Sequence, residues 1–138
     1  MSCVCAFFAN GMEEVEALTV VDLLRRAEVD VTTVSIQDTL EIQSSHGFRI
    51  CADALMKEVE DFQKFDLIYL PGGGVGTENL EKNEKVREVI QSFADAGRKI
   101  AAICAAPRIL GKMGLLEGKR ATSYPSVMNL LRGASVTE

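Results

Sequence analysis

Short apolar runs alternate along the chain with stretches whose apolar residues recur at helical spacing. Val4 to Ala9 is apolar and stops at Asn10-Gly11; beyond it Val15, Leu18, Thr19, Asp22, Leu23 and Arg26 mix apolar and polar positions with a helical period. This predicts strand, loop, helix. Val29 to Ile36 alternates branched residues and predicts a second strand, while Leu40 to Gln43 and Phe48 to Cys51 flank Ser44-Ser45-His46-Gly47 as the arms of a hairpin. Phe65 to Leu70 is almost wholly apolar and stops at Pro71-Gly72-Gly73-Gly74, read here as a turn. An amphipathic stretch from about Asn83 to Ala96, closed by Gly97, predicts the next helix. Lys99 to Ile103 is a further buried strand, and Ala106 to Met113 a helix with Pro107 placed early, where its missing N–H costs little. Strands alternating with helices imply an α/β fold whose mostly parallel sheet is covered on both faces.

Composition narrows the picture. A chain of 138 residues is long enough for one core that removes about two-thirds of the unfolded surface from water. No repeat, low-complexity tract or linker divides it, so residues 1–138 read as one domain. A net charge of -5 opposes the counterion release that drives nucleic-acid binding, and no basic stripe offsets it. The N-terminal apolar run is too short for a signal or a membrane span, which predicts a cytoplasmic protein with no membrane partner. Four cysteines (Cys3, Cys5, Cys51, Cys104) form no C-x-x-C pair and His46 is the single histidine. Neither a disulfide framework nor a closed zinc site is supported, and neither metal nor other cofactor is expected.

In an open α/β sheet the ligand crevice lies beyond the carboxyl ends of the strands. That brings together Glu13, Glu14 and Glu16 after the first strand, Gly72 to Gly76 after Leu70, and Cys104-Ala105-Ala106-Pro107 after Ile103. A thiol at a strand-to-helix turn faces the positive end of the helix dipole and free N–H groups, which predicts a lowered pKa. Small neighbours (Ala101, Ala102, Ala105, Ala106) permit a cramped turn. The glycine run can aim bare N–H groups at the same point and, with that of Ala105, form an oxyanion hole. From position alone, a reactive Cys104 and a buried structural one fit equally.

The strings GMEEVEALTVVDLLRRA, DLIYLPGGG, AAICAAP and ATSYP, in this order, resemble the ThiJ/PfpI superfamily, relatives of class I glutamine amidotransferases with a parkinsonism-associated deglycase branch. The resemblance implies a flavodoxin-like three-layer sandwich, a homodimer, and Cys104 as the nucleophile of an elbow. It also implies Glu16 hydrogen-bonded to that cysteine and an oxyanion hole from Gly73 and Ala105. A protonated Glu16 would donate to a thiolate. Amidotransferase and protease members, and many of the glyoxalase type, place a histidine beside the cysteine or on the strand matching Ala121 to Tyr124; here Ala105 and Tyr124 stand there. Without an imidazole relay, amide hydrolysis is disfavoured. Tyr124 is then a hydrogen-bond donor, a gate or a packing residue. The resemblance sets His46 and Arg26 at the dimer interface near the partner's site, whereas a lone histidine before glycine also fits an exposed turn.

Family chains continue past the position of Glu138, so the resemblance further implies a missing strand and terminal helix, a segment that a second chain could supply. Three functions follow. One is a cofactor-independent glyoxalase or deglycase acting on small carbonyl compounds. Another is an oxidative-stress sensor or chaperone-like protein whose Cys104 becomes a sulfinate. The third is an inactive fragment or interaction module.

Overall fold

In the computed structural model, which describes residues 2–138, β1 (Cys3–Phe8) leads through α1 (Glu14–Arg26) into β2 (Asp30–Ser35). A hairpin of β3 (Glu41–Gln43) and β4 (Arg49–Cys51) and a two-residue strand, β5 (Ala54–Leu55), precede β6 (Leu67–Leu70). Then come α2 (Gly74–Lys82), α3 (Glu84–Asp95), β7 (Lys99–Ala102) and α4 (Pro107–Lys112), followed by the paired β8 (Arg120–Ala121) and β9 (Ser135–Val136).

The main sheet runs β5-β2-β1-β6-β7 with every pair parallel, a flavodoxin-like α/β arrangement. β1 lies at its centre, where Cys5 stands opposite Thr32 on one side and Ile68 on the other. A central parallel strand is enclosed on both faces, which is why CVCAFF is apolar throughout instead of alternating. Phe7, Ala9, Ile68 and Leu70 pack with Ile90, Phe93 and Ile109 on one face. Val4, Ala6, Phe8 and Tyr69 pack with Ala17 and Val21 of α1 on the other. Each such side chain taken from water contributes about 1.5–3 kcal/mol before entropy is charged.

The structure departs from the expected pattern in three places. The glycine run is not merely a turn: Gly74 opens α2, a helix whose Gly76 lies flat against the backbone of Met12 and whose Thr77 and Leu80 are buried. A Cβ at Gly76 would stand 2.5 Å from Met12 Cα, so the glycine that weakens the helix locally is what lets it dock. Cover is also uneven, because β7 pairs on one side only and is exposed or half-buried along its length. Finally, the strand anticipated around Ala121 to Tyr124 is only Arg120–Ala121, since Tyr124-Pro125 opens a 3-10 turn through Leu130.

Helix α1 has two apolar sides. Ala17 and Val21 face the sheet, while Val15 (65% exposed) and Leu18 (41%) join Phe48 (60%) of the hairpin on the outer surface. Among the described residues no helix is long and apolar enough to cross a membrane.

Candidate active site

Loops from the carboxyl ends of β1, β6 and β7 meet at Cys104. Its φ is 62°, a left-handed conformation that a residue with a Cβ adopts only under constraint, at a cost of order 1–3 kcal/mol. The constraint is visible on each side. Ile103 N–H donates to Leu70 O at 3.3 Å, Ala106 N–H to Ile103 O at 3.1 Å, and Tyr124 N–H to Cys104 O at 2.7 Å. Beyond it Ala105 and Ala106 are buried and Pro107 starts α4. Small residues and a proline at the first helical position thus fold the chain into a sharp strand-to-helix elbow.

Glu16 reaches this sulfur from the first turn of α1. Its N–H donates to Oε2 of the capping Glu13 at 2.9 Å, and its carbonyl accepts from the Tyr69 hydroxyl at 3.0 Å, so the backbone carrying the carboxyl is held at both ends. Oε1 accepts from Gly72 N–H at 3.1 Å. Position 72 must be glycine, because a Cβ there would collide with that same Oε1 and stand 2.7 Å from Cys104 Cβ. The carboxyl and the thiol meet over a bare backbone.

The Glu16 carboxyl and the backbone of Gly73 and Ala105 lie beside the Cys104 thiol, the carboxyl acting to raise its pKa and the two N–H groups to lower it. Gly73 has φ 92°, and a Cβ there would lie 2.6 Å from Glu13 N and 2.7 Å from Gly11 O. The glycine loop is also sewn to the first loop by Glu13 N–H donating to Gly72 O at 3.1 Å. Glu16, Gly73 and Ala105 therefore all converge on Cys104.

The direction of the thiol pKa corrects the expectation drawn from the helix dipole. Burial first, then the hydrogen bond and charge of Glu16, push Cys104 above its ordinary value; the Ala105 and Gly73 N–H groups pull down and do not prevail. Loss of solvent, then the adjacent Glu16 carboxyl, outweigh two neutral donors. Among the other cysteines, Cys5 is buried and pushed up to about 12 by that burial, whereas Cys51 is exposed.

Tyr124 is 55% exposed and adjoins the elbow through its backbone N–H. Arg26 lies at the other end of α1 from Glu16, exposed and paired with Asp22 at 2.9 Å. His46 is an exposed turn residue whose Nδ1 sits 2.8 Å from Glu14 Oε2.

Glu14, which the sequence groups with Glu13 and Glu16 after the first strand, turns away from the elbow to the hairpin. It is buried, and its two oxygens face Ser44 Oγ (2.9 Å), Ser45 Oγ (3.2 Å), His46 N–H (3.0 Å) and the His46 ring. The neighbouring Glu13 carboxyl first, then the His46 ring and more weakly Ser44, hold its carboxyl far below the usual range. Two serines and a histidine in one turn were the available signal. Glu13, Glu14 and His46 place donor atoms within 4.8 Å of one another. With Glu14's lone pairs already taken and a helix N-terminus beneath, that cluster is built as a latch between α1 and the hairpin.

Comparison with known proteins places this geometry. The DJ-1/PfpI family model matches residues 2–138. The chain is 40% identical over 130 residues to Protein DJ-1 homolog A of Arabidopsis thaliana, covering 94% of this chain and 33% of that protein. It is 32% identical over 128 residues to a protein of Pyrococcus abyssi named as a deglycase, covering 93% of this chain and 75% of that one. The crystal structure of a mutant DJ-1 superfamily protein from Salmonella typhimurium superimposes with a TM-score of 0.93 at 32% identity, over 100% of this chain and 75% of its own.

Proposed function

Because the chain belongs to the DJ-1/PfpI family, we propose that it carries the reactive centre of a cofactor-independent glyoxalase or deglycase, acting through Cys104 on small dicarbonyls or glycated groups. The observation that carries this reading is a thiol held at φ 62° beside the Glu16 carboxyl, the two meeting over Gly72, where a Cβ would stand 2.7 Å from Cys104 Cβ. In the first step a bond forms between Sγ and an aldehyde carbon, and the carbonyl π electrons move onto oxygen beside the Gly73 and Ala105 N–H groups. Glu16 accepts the thiol proton and returns it to that oxygen, giving a hemithioacetal. It next moves a proton from the former aldehyde carbon to the neighbouring carbon through an enediol, leaving a thioester. Water cleaves the thioester, releasing a 2-hydroxy acid and the free thiol.

Conversion of methylglyoxal to lactate without glutathione is the assay. Replacing Cys104 by Ala should lower the rate at least about 100-fold; an unchanged rate sinks the proposal. The likeness to a protein named as a deglycase supports the substrate class. Free thiols at all four cysteines suit a reducing, cytoplasmic setting. The apolar patch of Val15, Leu18 and Phe48, which with Glu14 and Thr19 borders a shallow cavity of about 340 Å³, supports a homodimer formed through α1 and the hairpin.

One observation favours a second reading: the sole histidine is committed to Glu14, and oxidation of a thiol needs no imidazole relay. Two equivalents of peroxide would convert the thiol to a sulfinic acid and two waters, with the same N–H groups receiving the new oxygens. Intact-mass and peptide mapping after mild peroxide tests this; two oxygens gained at Cys51 with none at Cys104 would exclude it.

A further inference from the structure

Helix α2 is poorly equipped to hold its own place. It has nine residues, begins Gly-Val-Gly, and its N-cap Gly73 makes no side-chain cap bond. Each interior glycine costs roughly 0.5–1 kcal/mol relative to alanine, so a short helix of this composition depends on ties from outside. Yet its N-cap Gly73 follows Gly72, where a Cβ would stand 2.7 Å from Cys104 Cβ, so the N-terminus of the helix is set beside the thiol, and the Gly73 N–H lowers the thiol's pKa.

The tie at its other end is Glu81. This carboxylate accepts from Arg108 Nε at 3.3 Å and from Lys112 Nζ at 3.0 Å. Arg108 and Lys112 are one turn apart on α4, so a single carboxylate grips two successive turns. The Glu81 and Arg108 side chains are only 24% and 18% exposed, which spares the pair much of the screening that weakens surface ion pairs. The Glu81 backbone is held as well, since the Arg87 guanidinium donates to its carbonyl. Helix α4 is the one that starts at the elbow, and Arg108 N–H donates to Ala105 O at 3.2 Å. The clamp therefore joins the helix that begins at Gly73 to the helix that begins beside Cys104.

We infer that Glu81 is a positioning residue: by gripping Arg108 and Lys112 it sets the N-terminus of α2, and with it the Gly73 N–H, against the Cys104 sulfur. The inference rests on the reading of Cys104 as the reactive thiol, and its test separates the two. Iodoacetamide alkylation of Cys104, resolved from Cys3 and Cys51 by peptide mass spectrometry, is followed against pH with no substrate present. Wild type must show a Cys104 that alkylates and a Cys104→Ala variant inactive on methylglyoxal; failure there removes the functional reading, whatever Glu81 does.

Given a reactive Cys104, Glu81→Ala should slow its alkylation at pH 7 about three- to tenfold and raise its titration midpoint, because a receding N–H stops favouring thiolate. Simple electrostatics predicts the opposite sign, since deleting an anion and freeing two cations would speed alkylation. Glu81→Asp retains the charge but shortens the reach, and should also slow the reaction; Glu81→Gln, which keeps an acceptor at full length, should restore part of the rate. Thermal melts accompany each variant, and if Glu81→Ala is unfolded at the assay temperature, Glu81→Asp decides. Unchanged or faster alkylation in a folded Glu81→Ala or Glu81→Asp overturns the inference.

Discussion

Two carboxylates two residues apart on the first turn of α1 serve two different corners of the molecule. Glu14 turns to the hairpin, where Ser44, Ser45 and His46 occupy both of its oxygens. Glu16 turns to the elbow, where one backbone N–H at Gly72 binds it and the other neighbour is a thiol. A carboxylate whose lone pairs are filled by fixed donors is a structural fastener. One bound by a single backbone donor, with a thiol for its other neighbour, keeps acceptor capacity for a reacting group. The contrast arises because residues two apart on a helix are turned about 200° from each other, so each carboxyl meets a different corner.

The sharpest attempt to break this contrast is to neutralise each carboxylate in turn. Glu16→Gln should lower turnover of methylglyoxal by about 100-fold, the lower range for loss of a general acid–base, while the thiol's alkylation midpoint falls because an anion beside it is gone. Glu14→Gln should leave turnover within about threefold, less than 1 kcal/mol of barrier, and instead lower the urea midpoint. Equal losses of turnover in the two variants would abolish the distinction.

Next in size is Gly73→Ala. A Cβ 2.6 Å from Glu13 N on a backbone at φ 92° should cost about 1–3 kcal/mol in denaturant unfolding, and it should slow Cys104 alkylation too. An alanine tolerated at both readouts would mean that the glycine loop does not touch the sulfur.

A smaller effect is expected from pH at the hairpin corner. Glu14 is depressed when folded, so its contribution is present above its ordinary value of 4.5 and fades as pH falls toward the folded value. His46 is raised by Glu14, so its contribution is full below 6.5 and fades as pH climbs through the folded value. The stability difference between wild type and His46→Ala should therefore be greatest between about pH 4.5 and 6.5 and shrink on either side. Urea melts across pH check it, and a difference that grows toward pH 8 would contradict the latch. The least effect on the elbow is expected from Phe48→Ser: light scattering should give a dimer for wild type and a monomer for the variant, with Cys104 alkylation unchanged.

Legibility followed how local each cause was. The elbow could be read because small residues before and after Cys104 and Pro107 at the helix start are neighbours in the chain. Glu16 could be placed only by resemblance, since its partner lies 88 residues away. Helix α2 was hidden because Gly72 to Gly76 has turn composition, and it forms by docking Gly76 on Met12 and burying Leu80. The two-residue strands β5, β8 and β9 carry too few side chains to leave a period. The thiol pKa came out with the opposite sign because a dipole can be inferred from chain order, whereas burial cannot.

By itself the chain determined the order of the longer elements apart from α2, the parallel sheet and the place of the thiol at its carboxyl edge, because hydrophobic period and turn residues act between near neighbours. Tertiary structure alone decided which of three glutamates meets that thiol, that another binds a hairpin, and that α2 and α4 are clamped through Glu81. Those outcomes depend on a few ångströms between residues distant in sequence, and in water those separations are settled only when the core closes.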